Sequence, residues 1–587
     1  MRIYLILLQL LAAFGLAHVP VAGALAQGQL VFADQGPTWT SAQRSDFYSR
    51  DQGSRMIPLA WLRALKQANG QPFLADSLSR YGYLPNPSNP NGLPVGFTAS
   101  GPTGAQTVGM TCSACHTRQI NVGDTNYRID GGPAIVDFQS LLSDLDAAVG
   151  NVLVSDATFA PFAAAVLGAQ SPDPADLAAL RRGADAWYLR YHTLIAGALP
   201  QSPMTSWGPA RLDAISMIFN RLTGLDLGPP PSLIIAENIK AADAPVRYPF
   251  LWNAPRQDMT QWPGFAKNGN DVLALGRNVG EVFGVFGVFQ PTKNGLFISF
   301  LNNNSVNFDG LNELENLIKQ IGPPKWPWSV DSPLAAEGKM IYERPTAQGG
   351  CAECHDIRPG AVRSLAQTWA TPIQDVGTDT RQHGILARTA KTGALKGAFI
   401  PGVTNRLNET DFATNILTTA VVGSIVDHVL GIGGGSSPLA LTLVPAEEFG
   451  PEHLAGRLPP ALRDLEGAFG PPKVATLAAA LTPPQSTYES RVLQGIWAAA
   501  PYLHNGTVPT LAELLKPAAE RTAKFKIGSA YDTNNVGLAS EQTQFNFELE
   551  TTDCSDRNSG KSRCGHEFGT RLTDPEKRAL LEYLKTL

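Results

Sequence analysis

A mainly α fold in two modules, with long loops and a large helical insertion in the first module, is what the sequence predicts. Three observations carry this. The pattern Cys-x-x-Cys-His occurs twice in the 587-residue chain, at Cys112-Ser113-Ala114-Cys115-His116 and at Cys351-Ala352-Glu353-Cys354-His355. Apolar residues recur at spacings of three and four through 134–223, Leu311–Ile321 and Asp574–Leu587, the period of helices with one buried face. Glycine (56) and proline (45) are frequent enough to put much of the remainder into loops.

The repeated pattern sets the chemistry. Two thiols three residues apart can bond the two vinyl groups of one haem, and the adjoining imidazole then reaches the iron from the same side. Each half therefore reads as a cytochrome c-like module carrying one covalent haem, ligated by His116 in the first and His355 in the second. One zinc ion shared by the four thiols would need the pairs roughly 15–20 residues apart. The actual gap is far longer, and zinc would not require a histidine after both pairs. A thioredoxin-like pair would need a βαβ context, which neither motif has.

Length allows two or more domains, and 43% hydrophobic with 17% charged residues is the composition of a globular chain. Arg2, the apolar run Ile3–Leu16 and Ala24-Leu25-Ala26 have the form of a signal peptide over residues 1–26. This predicts a periplasmic or secreted protein. The formal charge of −5, with no basic run, argues against nucleic acid as a partner. Cys554 and Cys564 remain after the haem motifs, and in an oxidising compartment a disulfide is expected between them.

In chain order, the leader gives way to an N-terminal haem domain over 27–325 and a C-terminal cytochrome c-like domain over 326–587. The loop 85–94 leads to the first motif, and the helices of 134–223 form the insertion. The segment Trp252–Phe289 is the densest aromatic stretch, with Trp252, Trp262, Phe265, Phe283, Phe286 and Phe289. Arg277 and Glu281 share a helix face there. It reads either as aromatic core with a helical ion pair or as the distal wall of a haem pocket, with Arg277, Glu281 and Trp262 as candidate catalytic groups. Gly322-Pro323-Pro324 ends a helix and opens the domain boundary. Further on, Gly433-Gly434-Gly435 lacks the strand and helix of a phosphate cradle and reads as loop. A helix over 332–342 before the second motif and a last helix from Asp574, with a Thr573/Glu576 capping box, complete a small cytochrome c module.

The sixth ligand decides what each iron does. None of the seven methionines follows Cys351, so the second haem lacks a methionine ligand of its own domain, which would raise the potential. Its candidates are His383, His428, His453, His504 and His566. His566, in Gly565-His566-Glu567-Phe568-Gly569, is preferred over His504. For the first haem, His192, Met204, Met217 and Met259 offer no compelling placement, which predicts an open position able to bind dioxygen or peroxide.

On the two motifs, Ala500–Leu511 and Gly565–Gly569 with the last helix, the sequence resembles the bacterial dihaem cytochrome c peroxidase superfamily. The aromatic segment looks like its larger branch, which includes the dihaem rubber oxygenase and related fatty-acid dioxygenases. The resemblance covers most of 100–587. It implies an active first haem and an electron-handling second haem, with His504 beside the second haem and His566 as its ligand. The expected protein is an oxidoreductase with two c-type haems, using dioxygen or hydrogen peroxide to oxidise an apolar organic substrate. Peroxide reduction with electrons from a small redox protein, and plain electron transfer, are the alternatives.

Overall fold

The computed structural model describes residues 28–587 apart from 170–171, 201–203, 205, 295–296, 400–405 and 431–486. The leader 1–26, Gly433-Gly434-Gly435 and His453 lie outside the described residues. The chain is not mainly α. The described residues are about 38% helix and 17% strand, and their strands form ten small sheets of two or three strands each. Most strands are two to four residues long, too short to show the alternation by which a strand is read from sequence.

Two of these sheets hold the first motif. Strand Thr107–Met110 pairs with Ile57–Pro58 and Phe97–Ser100 and runs directly into the one-turn helix Cys112–Cys115. Strand Thr117–Val122 leaves it and turns back antiparallel on Thr125–Asp130, with Thr117 opposite Asp130. Gly96 makes the fit possible. At φ +79, a Cβ there would fall 2.0 Å from the Ala114 nitrogen.

The helices fall into two groups. Phe138–Leu153, Asp156–Leu167 and Pro174–Ala198 pack with Leu59–Ala64 around Trp61, Phe159, Phe162 and Leu194. Serine and aspartate N-caps start all three long helices, supplying acceptors for otherwise unpaired amides. The second group is Ala214–Leu225, Asp271–Gly284, Phe308–Ile318 and Ala413–Leu430. The last of these comes from the C-terminal half yet packs on helices of the N-terminal half. One apolar core thus runs from Ala33 to Leu584, while 321–331, the segment around residue 325, carries neither helix nor strand.

Around the second motif, helix Ser332–Tyr342 crosses the terminal helix Asp574–Leu584, which begins with the Thr573/Glu576 capping box. The crossing is close at Gly338, where a Cβ would lie 1.9 Å from the Ala579 carbonyl oxygen and 2.8 Å from the Tyr583 Cβ. In an open helix Gly→Ala stabilises by about 1 kcal/mol. Here Gly338→Ala is expected to destabilise by ~1–3 kcal/mol, because the helices must part. Thermal unfolding of the two proteins checks the sign.

Candidate functional site

Both motif histidines are fixed in the same way. His116 Nδ1 lies 2.8 Å from the Pro249 carbonyl oxygen, and His355 Nδ1 lies 2.8 Å from that of Arg491. A backbone acceptor keeps the proton on Nδ1 and leaves Nε2 for a metal. Burial holds His116 down to about 4 and also lowers His355, so both rings are neutral and able to ligate. Cys112, Cys115, Cys351 and Cys354 form no disulfide. Among the described residues no three His, Cys, Asp or Glu side chains converge as a bare metal site.

The second motif opens on a cavity of about 160 Å³. Cys351, Cys354 and His355 line it, together with Phe250, Tyr502, Leu511 and Leu515. His566 lines it too, its ring centroid 6.0 Å from that of His355. Two imidazoles binding one metal from opposite sides, each at ~2.0 Å, put their centroids about 6 Å apart. His566 Nδ1 is buried without a partner, and burial pushes the ring down to about 3. Thiols, a proximal imidazole, a facing imidazole and a largely apolar cavity fit a c-type haem.

The loop presenting His566 is pinned from several sides. His566 takes a positive φ of 52° after Gly565 at 75°, and its amide donates to the Val376 carbonyl at 2.7 Å. A Cβ on Gly565 would meet the Gly377 carbonyl carbon at 2.3 Å. Arg521 donates to the carbonyls of Arg563, Gly565 and His566. The disulfide Cys554–Cys564 closes the segment before it.

His504 lines the same cavity but points elsewhere. It stacks on Tyr488 at 3.6 Å, and its Nε2 is 2.6 Å from Asp379 Oδ2, though off the line of a hydrogen bond. Trp262 also belongs to this cavity. Its Nε1 donates to the Arg247 carbonyl, and the Arg247 guanidinium lies 4.7 Å above its ring. His383 has an unpartnered Nδ1 on the short helix Arg381–Ile385. His428 stacks on Phe308 at the exposed end of its helix.

Beside the first motif the arrangement differs. A small cavity of about 20 Å³ is lined by Ile215, Ile218, Phe219, Phe265 and Leu417, with Gln261, Arg277 and Glu281 as its polar groups. The charges of Arg277 and Glu281 are felt at the Cys112 thiol. These two residues do not form the helical ion pair suggested by their spacing. Arg277 donates to Glu315 Oε2 and to Asn268 Oδ1, each at 2.6 Å. Glu281 Oε1 accepts from Gln261 Nε2 at 2.5 Å, and burial raises its carboxyl. No second imidazole lies against His116 among the described residues; the nearest ring is Tyr248 at 6.3 Å. His192 is paired with Asp146 and half exposed, Met204 is exposed, and Met217 sits in the helical core. The same donor set, two thiols and a neutral imidazole, fits a haem here also.

Two signals escaped the sequence. Leu417 lies 136 residues beyond Glu281, the last of this pocket's other lining residues, so no local pattern links them. Gln261 is placed by a positive φ of 67°, a conformation glutamine does not advertise.

The segment 487–526 matches the family model described as RoxA-like, cytochrome c-like. It contains Arg491, which anchors His355, and Tyr488, Tyr502, His504, Leu511 and Leu515 of the second cavity. A RoxA-like cytochrome c domain therefore stands near the C-terminus, with the c-type haem iron that implies. Over 598 aligned positions the chain is 30% identical to "Uncharacterized protein y4iJ" of Sinorhizobium fredii, covering 94% of this chain and 92% of that one. The chain belongs to the y4iJ family. A second S. fredii protein, "Uncharacterized protein y4iM", is 24% identical over 58% of this chain and 63% of its own length. The match to y4iJ runs over nearly the whole of both chains.

Proposed function

We propose that the chain is an exported dihaem c-type oxidoreductase in which the two haems have different tasks. The observation that carries this is the asymmetry between the motifs. His355 faces a second imidazole, whereas beside His116 there is an apolar cavity with a buried carboxyl and a buried arginine. Cys112, Cys115 and His116 would hold a haem here, which would supply dioxygen or peroxide chemistry when bound. Ile215, Ile218, Phe219, Phe265 and Leu417 line the small neighbouring cavity, an apolar wall of the kind an apolar organic substrate would meet. Arg277, fixed by Glu315, holds a positive charge near the motif, and Glu281 keeps a carboxyl able to exchange a proton at Oε2 while Gln261 holds Oε1. His355 and His566 would hold the second haem, which would supply electron handling there. Peroxide reduction is the second reading. Exposed Ile357, Val362 and Leu365 follow the second motif and suit a small redox partner.

Carbon monoxide tests the division. The dithionite-reduced protein is expected to bind one CO per two haems, read in the visible spectrum. Binding at neither haem would sink the oxidase reading and leave an electron carrier.

A further inference from the structure

The two motif histidines are joined by a short buried chain. His116 Nδ1 is hydrogen-bonded to Pro249 O at 2.8 Å. The next residue, Phe250, offers its carbonyl to Arg491 Nη2 at 2.8 Å. The carbonyl of Arg491 in turn accepts from His355 Nδ1 at 2.8 Å. Both Phe250 and Arg491 are buried. The guanidinium lies 4.5 Å above the Phe250 ring, which stacks on Trp252 at 4.8 Å. Its other arm is held by Glu489 Oε1 at 3.1 Å. One side chain therefore closes the only gap between the backbone acceptors of the two proximal histidines.

We propose that Arg491 is a positioning residue for electron exchange between the two haem sites, linking His116 to His355 through Phe250. The proposal rests on the two-haem reading. With both haems bound, one iron would be oxidised from ferrous to ferric as the other is reduced from ferric to ferrous, with no bond broken and no proton moved. The path alternates covalent bonds with three hydrogen bonds in a dry interior. A rigid guanidinium serves this better than a flexible ammonium, because its planar fork donates to Glu489 and to Phe250 O together. The main-chain carbonyl holding His355 does not depend on the side chain, so coupling can be removed without removing the ligand's anchor.

The test uses the exported holoprotein and begins with a haem count by pyridine haemochrome. Fewer than two haems in the wild type overturns the underlying reading, and the proposal with it. With two haems present, one-electron pulse reduction is followed by the redistribution between their visible bands. The double variant Glu489→Gln/Arg491→Met keeps the volume and removes one charge of each sign from the interior. It is expected to redistribute at least tenfold more slowly than Glu489→Gln alone, with unchanged band positions and CO stoichiometry. Arg491→Lys, which keeps the charge but loses the two-armed fork, is expected to fall between the wild type and the double variant. Equal rates in the single and double variants would overturn the proposal. So would a change explained wholly by shifted potentials, since Arg491 would then act only as a charge. Should the double variant fail to take up haem, Arg491→Gln, too short to span to Phe250 O, is expected to show the same slowing, and wild-type kinetics in it would refute the link.

Discussion

Replacing His566 with alanine is expected to open the second iron while leaving the fold intact. The loop is held by main-chain bonds from Arg521 and Val376 and by the Cys554–Cys564 disulfide, none of which uses the imidazole. The haem count should therefore stay at two. CO bound per protein should rise from one to two, and the low-spin spectrum of one haem should become high-spin. His566→Met should keep six-coordination and raise the potential of that haem by on the order of 100 mV, within the ~0.8 V span that axial ligands command. His504→Ala provides the contrast. That imidazole lies against Tyr488 and Asp379, so its removal should leave the CO count at one. If His504→Ala raised the count and His566→Ala did not, the ligand assignment would be reversed.

How much of this was legible before the structure depends on the range over which each feature is encoded. The haem-attachment chemistry is compressed into five residues, so it reads without any fold. His566 is conspicuous because glycines flank it at 565 and 569 and because no methionine follows Cys351. The sheets were illegible for a physical reason. A strand such as Ile57–Pro58 or Arg211–Leu212 has no room for a period of two, and pairing with a distant partner is what makes it a strand. Pairings of charges failed likewise. Arg277 and Glu281 are neighbours along one helix, but Glu315 on another helix is the partner that the packing brings to the guanidinium. Trp262 and Gln261 are adjacent in sequence yet line different cavities, a division decided by backbone turns rather than by residue type.

Glu281 is where the proposed chemistry at the first motif is most exposed to refutation. Its carboxyl is buried beside apolar side chains, which disfavours the charged form. Gln261 and Arg277 pull the other way, and the net effect is upward. A carboxylate that takes a proton from hydrogen peroxide must be ionised. Turnover with peroxide as oxidant should therefore fall as the pH drops through a pKa above the usual glutamate value. Glu281→Gln keeps the size and the contact to residue 261 but cannot accept that proton. Its expected cost is about 10²-fold in kcat, or ~2.7 kcal/mol of barrier, with the acid limb of the pH–rate profile abolished. CO stoichiometry should remain one, because the iron and its ligand His116 are untouched. A Glu281→Gln protein with wild-type kcat and an unchanged acid limb would show that the carboxyl is only buried. Catalysis would then have to rest on the fixed charge of Arg277, whose ion pair with Glu315 would become the next target.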